Sequence, residues 1–511
     1  MMMSRLPHFT TIVRESLAGH AWLGLVGGGL MYLICLSGTL AVFYQEWERW
    51  EQPEAHESQR ADPASVQRAV ASVLGRLPSP PTHLYVGLPT EAMPRVTVST
   101  DQENQAWFVN PDGSLGGAVA HDWTHLLLNL HIYLHLPSTL GLTVVGSLGA
   151  MLFGLIVSGF LAHPRIVKDA FRLRLGGSLH LEQVDLHNRL SVWGAPFHVV
   201  IALTGAYFGL AALLFFLLGA AFHGGDTEAA TAAIFASEPK VQGSGGAPNI
   251  ERALHEIGRV SGVGMAGAPP AAPSFLTVHD AGTPKQFIEM EVVQSRRLIW
   301  AEYYRFDANG SYLGRSDYSD GPIGRQVIYS SYRIHFGNFG GVPVKILYSV
   351  LGLALTVISV TGINIWLARR KTRDYINDLW IGTVWGAPAA LALTTTTEIL
   401  LNVPSTAVFW IALLAALAWA LRAKDPARAR RDLCVVTAAL LGVFVVGYLL
   451  KFDTTRLPMV AWWINGALAA TAIVMMAIAA GSSRAIVIAR VSDARASEQV
   501  SHGDLDHTRA V

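Results

Sequence analysis

The chain is short of charge and almost without cysteine. Only 15% of its 511 residues are charged, against about 25% in a soluble domain. A chain this poor in charge and 51% hydrophobic exposes too much apolar surface for water, which places it in a membrane. Its net charge of +1 says nothing about nucleic acid, and none is expected as a partner. Its two cysteines, Cys35 and Cys434, both lie in apolar runs. They exclude a disulfide framework, a CxxC zinc site, a CxxCH attachment motif and an iron–sulfur cluster. Nucleotide fingerprints are missing too. GVGMAG at residues 262–267 fits GxGxxG, but it runs into Ala-Pro-Pro with no helix to follow, and reads as a loop. No flavin domain is evident.

Eight apolar runs are long enough to span a bilayer, at about 20–44, 139–162, 193–221, 343–367, 379–401, 405–422, 433–451 and 459–480. The first run is too long for a signal-peptide core and no small-residue cleavage site follows it, so it reads as a retained anchor. Basic residues crowd every other junction: Arg14 before the first run, Arg165 and Lys168 after the second, Arg369 to Lys371 after the fourth, Arg422 to Arg431 after the sixth and Arg484 after the eighth. That alternation puts both termini in the cytoplasm. The expected fold is an α-helical polytopic membrane protein of about eight transmembrane helices with two extracytoplasmic α+β domains. Its segments are a tail and first span (1–44), an outer domain (45–130), a second span and cytoplasmic loop (131–175), and a third span (176–221). A second outer domain (222–334), a fourth span (335–373), four additional spans (374–481) and a polar, disordered tail (482–511) follow. Each outer segment reads as a helix followed by short alternating strands and a hairpin marked by Asp-Gly or Asn-Gly.

The two halves repeat. Gly113, Ser114 and Gly117 of one hairpin correspond to Gly310, Ser311 and Gly314 of the other. Each of the first four spans carries a Ser/Thr-Gly pair: Ser37-Gly38, Ser158-Gly159, Thr204-Gly205 and Thr361-Gly362. Such pairs usually mark helix packing; here they also serve as a ruler. His20 lies 18 residues before Gly38 and His187 lies 18 before Gly205, while His131 lies 28 before Gly159 and His335 lies 27 before Gly362. Residues 1–175 and 176–373 are therefore two copies of one unit, inserted the same way up, with their axis along the membrane normal. A twofold axis brings His20 to His187 near the cytoplasmic side and His131 to His335 near the outer side.

Ionisable residues in spans are functional candidates by default. A lone membrane histidine is more often a hydrogen-bonded packing residue than a ligand, but four at two symmetric depths are a pattern. Zinc and copper sites gather three or four ligands. Two imidazoles facing across an axis suit haem b, and two such groups make an electron path across the bilayer. In DLHNRLSVWGAPFHVVIALTG, residues 185–205, His198 follows His187 by eleven positions. On one continuous helix they share a face, roughly 16 Å apart. The repeat counterpart of His198 is Met31. His198 can hydrogen-bond a propionate, replace one of the four ligands or line a proton path. His135, four residues after His131, lies on nearly the same helix face and is the rival outer ligand. His163 reads as interfacial.

HAWLGLVGGGLMYLICLSGTLAVF, DLHNRLSVWGAPFHVVIALTG and IHFGNFGGVPVKILYSVLGLALTVISVTGINIWLARR resemble the PepSY-associated transmembrane helix proteins. The outer segments resemble PepSY modules, and the likeness covers about residues 15–373. It implies an iron-regulated inner-membrane protein. Some family members are ferric-siderophore reductases with two haems b, so it implies His20, His131, His187 and His335 as haem ligands, on the patterns HxWLG, LHxxL, DLHxxL and HFGxFGG. The implied acceptor is a ferric siderophore, with quinol or a separate cytoplasmic reductase as donor and membrane lipid around the spans. No acid–base residue is required. The rival class is a non-enzymatic PepSY membrane regulator that binds or inhibits a periplasmic peptidase. The four additional spans contain no histidine and read as a lipid-facing or subunit-packing belt. Trp47, Trp50, Trp123 and Trp300 are candidates for an outer substrate surface or for interface and core aromatics. Arg296 and Arg297 can attract an anionic chelate or stay solvated.

Overall fold

The computed structural model describes residues 7–102, 105–171, 179–235, 238–243, 245–261, 273–294 and 297–507. The segment 262–267 and Arg296 lie outside them. The first unit runs α1 (Pro7–Ala41), α2 (Tyr44–Glu51), α3 (Pro63–Leu74), β1 (His83–Gly87), β2 (Thr97–Thr100), β3 (Ala106–Val109), β4 (Leu115–Ala118), α4 (Asp122–Tyr133), α5 (Ser138–Ala162) and α6 (Ile166–Asp169). The second repeats the order: α7 (Leu179–Trp193), α8 (Ala195–Phe222), α9 (Thr227–Ile234), α10 (Ile250–Val260), β5 (Pro273–His279), β6 (Phe287–Val293), β7 (Ala301–Asp307), β8 (Tyr312–Arg315), α11 (Ile323–Phe336) and α12 (Gly341–Ala368). Four helices follow: α13 (Tyr375–Leu401), α14 (Ser405–Ala423), α15 (Pro426–Lys451) and α16 (Met459–His507). Among the described residues eight helices are long and apolar enough to cross a membrane, namely α1, α5, α8 and α12 to α16. The chain is thus a polytopic helical membrane protein carrying a separate antiparallel sheet.

The copies differ where α1 meets its counterpart. α1 is unbroken, but the equivalent stretch splits into α7 and α8 at Gly194. Pro196 sits in the first turn of α8, where its missing N–H and its ring end the preceding helix. His187 and His198 therefore do not share one continuous helix, as the sequence spacing suggests. A second difference lies at the C-terminus. α16 continues to His507 where the sequence reads as a disordered tail. Residues 484–507 contain no proline and one glycine, so the sequence holds no strong helix breaker there.

The two outer segments are not separate sheets. One eight-stranded sheet runs β4-β3-β2-β1-β5-β6-β7-β8. β1 and β5 pair antiparallel at its centre, from His83 opposite His279 to Gly87 opposite Phe275. Each copy alone leaves its first strand as an open edge, and pairing the two edges satisfies both. Alternate residues Leu84, Val86, Leu276, Val278, Ile288 and Met290 are fully buried against Val66, Ala69, Val70 and Val73 of α3 and Ile250, Ala253 and Ile257 of α10. Burying each such aliphatic side chain contributes about 1.5–3 kcal/mol. The copies are also tied across the helices: the Gln67 side chain accepts the Ile250 N–H at 2.6 Å and donates to the Pro248 carbonyl at 3.0 Å. At each hairpin tip a glycine has positive φ, 83° at Gly113 and 76° at Gly310. An added Cβ would meet the Ser65 carbonyl at 2.7 Å or the Asn249 carbonyl at 2.8 Å, so both tips rest on the start of their own unit's helix.

The last four helices are more than a lipid-facing belt. They pack on the first unit. Trp380, Val384, Phe409 and Leu413 join Tyr32, Leu33, Leu126 and Leu130 in one core. Phe444 and Tyr448 join Trp47, Trp50, Trp123 and Leu127 in another. The Tyr448 ring stacks on Trp50 at 5.3 Å, and its hydroxyl donates to the Trp50 carbonyl at 2.7 Å. The three tryptophans Trp47, Trp50 and Trp123 are therefore core residues and not part of an outer surface.

Candidate histidine-lined cavities

Four helices deliver four histidines to two places. His20 of α1 and His187 of α7 have ring centroids 6.3 Å apart. His131 of α4 and His335 of α11 have theirs 6.2 Å apart. Each pair takes one ring from each unit, as the repeat axis requires. Each is too wide for a direct hydrogen bond, which needs about 3 Å between nitrogens. The separation matches two metal–nitrogen bonds of about 2 Å plus two half-rings.

The Ser/Thr-Gly pairs are the seats of these rings. The ring of His20 lies 3.3 Å from a Cβ placed at Gly159, that of His187 3.3 Å from one at Gly362, that of His335 3.5 Å from one at Gly205, and that of His131 2.5 Å from one at Gly38. The ring hydrogen bonds are as consistent. Nδ1 of His20 lies 3.0 Å from the Leu155 carbonyl and 3.3 Å from the Ser158 hydroxyl. Nδ1 of His187 lies 3.1 Å from the Thr361 hydroxyl, and Nδ1 of His335 lies 2.8 Å from that of Thr204. Nδ1 of His131 lies 3.0 Å from the Ile34 carbonyl. A carbonyl only accepts. The three hydroxyls already donate to backbone carbonyls one turn back, those of Gly154, Val357 and Val200, as mid-helix Ser and Thr do. Every ring therefore donates through Nδ1 and keeps the Nε2 lone pair, the tautomer a metal-ligating imidazole needs.

Two cavities lie between the pairs. The inner one, about 220 Å³, is lined by His20, His187, His198, His163 and Arg369. The outer one, about 310 Å³, is lined by His131, His335, Phe208, Tyr332 and Tyr348. Met31, Leu152 and Leu355 face both and form the wall between them. Each cavity is far larger than the share of a single water, about 30 Å³. Among the described residues no three His, Cys, Asp or Glu side chains converge as a metal site would require.

His198 is 1% exposed. It bonds the Leu351 carbonyl and its Nε2 has no protein partner. Its ring fills the space over Gly194. Although the helix breaks before it, it reaches the same cavity as His187. His135 does not join His131. α4 ends at Tyr133, and Leu134 and His135 take left-handed φ of 54° and 56°. That turn carries the His135 ring away to α14, where Nδ1 accepts from Trp410 Nε1 at 2.9 Å and Nε2 donates to the Leu126 carbonyl at 2.8 Å. Both nitrogens are used, so His135 is an anchor for α4. Arg297 is bound rather than free: it donates to Asp320 and to the Ser319 carbonyl, both at 3.0 Å. Trp300 packs on Tyr332 at 5.1 Å.

The other end of α4 is held by Glu51. Its carboxyl accepts the backbone N–H groups of Trp123 and Thr124 at 3.1 and 2.8 Å and the Thr124 hydroxyl. Burial pushes this carboxyl up to about 8, against the opposing pull of those donors. Sequence reading missed Glu51, Ile34 and the hydroxyls as supports. The hydroxyls were visible, because in each pair the polar residue precedes the glycine and so stands beside the gap that the glycine leaves.

The family model for the PepSY-associated TM region matches residues 17–369, and the chain belongs to that family. The match takes in both histidine pairs and the whole sheet. The uncharacterized protein PA4219 of Pseudomonas aeruginosa is 25% identical over 262 residues, 48% of this chain and 64% of its own length. The alignment thus spans under two thirds of that relative.

Proposed function

We propose that the protein is a haem b membrane reductase. His20 with His187 would hold an inner group, and His131 with His335 an outer one. When bound, each group supplies a one-electron Fe(III)/Fe(II) couple. The observation that carries this reading is the repeated two-histidine geometry: rings 6.2–6.3 Å apart, drawn from different units, each with Nδ1 engaged and Nε2 available. The residues present fit a planar group ligated on two faces better than a four-ligand metal ion. The protein's own part is to hold the rings, exclude water with the apolar walls, and set the potential through burial and the Nδ1 hydrogen bonds.

The alternation of basic junctions supports a reading in which the membrane is a bacterial inner membrane, the inner pair and both termini face the cytoplasm and the sheet is periplasmic. Electrons would come from quinol or a separate cytoplasmic reductase and pass to a periplasmic acceptor. A ferric siderophore is the acceptor of choice: one electron converts its Fe(III) to Fe(II), which such chelators hold weakly, so reduction releases the metal for uptake.

A reduced-minus-oxidised spectrum of the detergent-purified protein, with a pyridine haemochromogen count, tests the reading. Two haems b per chain are expected. A colourless protein from haem-replete cells refutes it and favours a PepSY regulator of a periplasmic peptidase.

A further inference from the structure

The two histidine pairs are equivalent by sequence repeat but not by geometry. The planes of His20 and His187 cross at 89°, and those of His131 and His335 at 34°. His187 and His335 sit alike, each on a Thr hydroxyl, so the difference lies in the seats of His20 and His131. One Nδ1 hydrogen bond leaves a ring free to turn about the N–H direction, and the contact with the glycine and any second acceptor then select its plane. At the inner pair one acceptor is the Leu155 carbonyl with the Ser158 hydroxyl, and the other is the Thr361 hydroxyl. At the outer pair one is the Ile34 carbonyl and the other the Thr204 hydroxyl. Ser37, which the repeat makes the hydroxyl of the His131 seat, donates to the Leu33 carbonyl at 2.8 Å as Ser158 does to that of Gly154, but only Ser158 also meets the Nδ1 of its histidine, at 3.3 Å. The His131 ring bonds the Ile34 carbonyl, the counterpart of Leu155, and lies closer to its glycine, 2.5 Å from a Cβ at Gly38 against 3.3 Å at Gly159.

We propose that Ser158, Thr361 and Thr204 are positioning residues that fix the planes of the histidines, making the inner centre a crossed-imidazole site and the outer centre a near-parallel one. The inference rests on the haem reading above and goes beyond it, because ligand identity alone does not set ring planes. The consequence is electronic. Crossed imidazoles act equally on the two iron orbitals of π symmetry and leave them nearly degenerate, which gives a strongly anisotropic low-spin ferric signal. Near-parallel imidazoles split those orbitals and give a rhombic signal with three resolved features.

Electron paramagnetic resonance of the oxidised, haem-replete full chain at low temperature reads both. One strongly anisotropic and one rhombic low-spin signal are expected. His335→Ala should remove the rhombic signal and so assign it to the outer pair. Thr204→Val should shift the rhombic signal alone, Thr361→Val the anisotropic one alone, and Thr204→Ser should restore the wild-type spectrum. Two signals of the same class, or a rhombic signal indifferent to Thr204→Val, overturn this proposal while the haem reading stands. No low-spin ferric signal in any preparation overturns both.

Discussion

The Thr204 hydroxyl accepts the Nδ1 proton of His335 at 2.8 Å and passes its own to the Val200 carbonyl at 2.7 Å. Two hydrogen bonds on one hydroxyl thus settle which nitrogen of a buried imidazole is left bare. Thr361 does the same for His187 through Val357, and Ser158 for His20 through Gly154. In a span, where water is absent, such a chain must close within the protein. It ties the tautomer of a buried ring to the helix one turn away.

If each pair holds one group, removing one ring should empty one site. His335→Ala and His187→Ala are each expected to lower the pyridine haemochromogen count from about two to about one per chain, and the double variant to about zero. The pairs share no helix in the second unit, since α7 ends at Trp193 and α11 lies beyond the sheet. The sites should therefore empty independently. A single substitution that removes all the haem without unfolding the protein would contradict two separate sites.

The glycine seats make a contrasting pair. At Gly38 a Cβ would lie 2.5 Å from the ring of His131, while at Gly205 it would lie 3.5 Å from that of His335. The first cannot be accommodated without moving the ring, and the second is an ordinary contact. Gly38→Ala should weaken cofactor retention at the outer pair by roughly 10–100-fold, the usual scale of a disturbed ligand support. Gly205→Ala should leave it near wild type. Titration of the apoprotein with haem, followed by absorbance, compares the two.

His135 should not matter to haem content, but it should matter to stability. Trp410→Phe leaves Nδ1 of His135 without its donor, at a cost of about 1–3 kcal/mol. The expected result is an earlier thermal transition in detergent with an unchanged haem count. Loss of haem in His135→Phe, with the fold retained, would reinstate His135 as a ligand.

Much of this was legible in the residues. The 18-residue spacing from His20 to Gly38 and from His187 to Gly205 was legible although the first lies within α1 and the second runs from α7 into α8 across the break at Gly194. What could not be read are features without a local signal. The seam between β1 and β5 joins strands far apart in the chain, and nothing in HLYVG or SFLTVH states that its free edge meets another copy of itself. The turn at Leu134 and His135 puts two bulky residues at positive φ without glycine or asparagine, so NLHIYLHLP reads as one more helical turn. Tertiary contacts with Trp410 and Leu126 impose it. The split at Gly194 was visible as Gly-Ala-Pro, but an apolar run on its far side masks it. The grip of α13 to α16 on the first unit was invisible, because lipid-facing and protein-facing leucines look alike.

Glu51 gives the fold a pH dependence with a definite sign. Its carboxyl is held at about 8 in the folded protein, well above the ordinary value of about 4.3 in an unfolded chain. Between those values the folded state holds a proton that the unfolded state has lost, so stability falls as pH rises through the window and levels off above about 8. Three hydrogen bonds from the start of α4 meet this one carboxyl, and α4 carries His131, so the outer pair should loosen along with it. Thermal unfolding of the wild type between pH 5 and 9, roughly spanning that window, should show the midpoint dropping toward the alkaline end. Glu51→Gln keeps an acceptor for α4 but has nothing to ionise, so its midpoint should fall less over the same range. Parallel curves for the two proteins would mean that Glu51 is ionised throughout and that its three donors outweigh its burial.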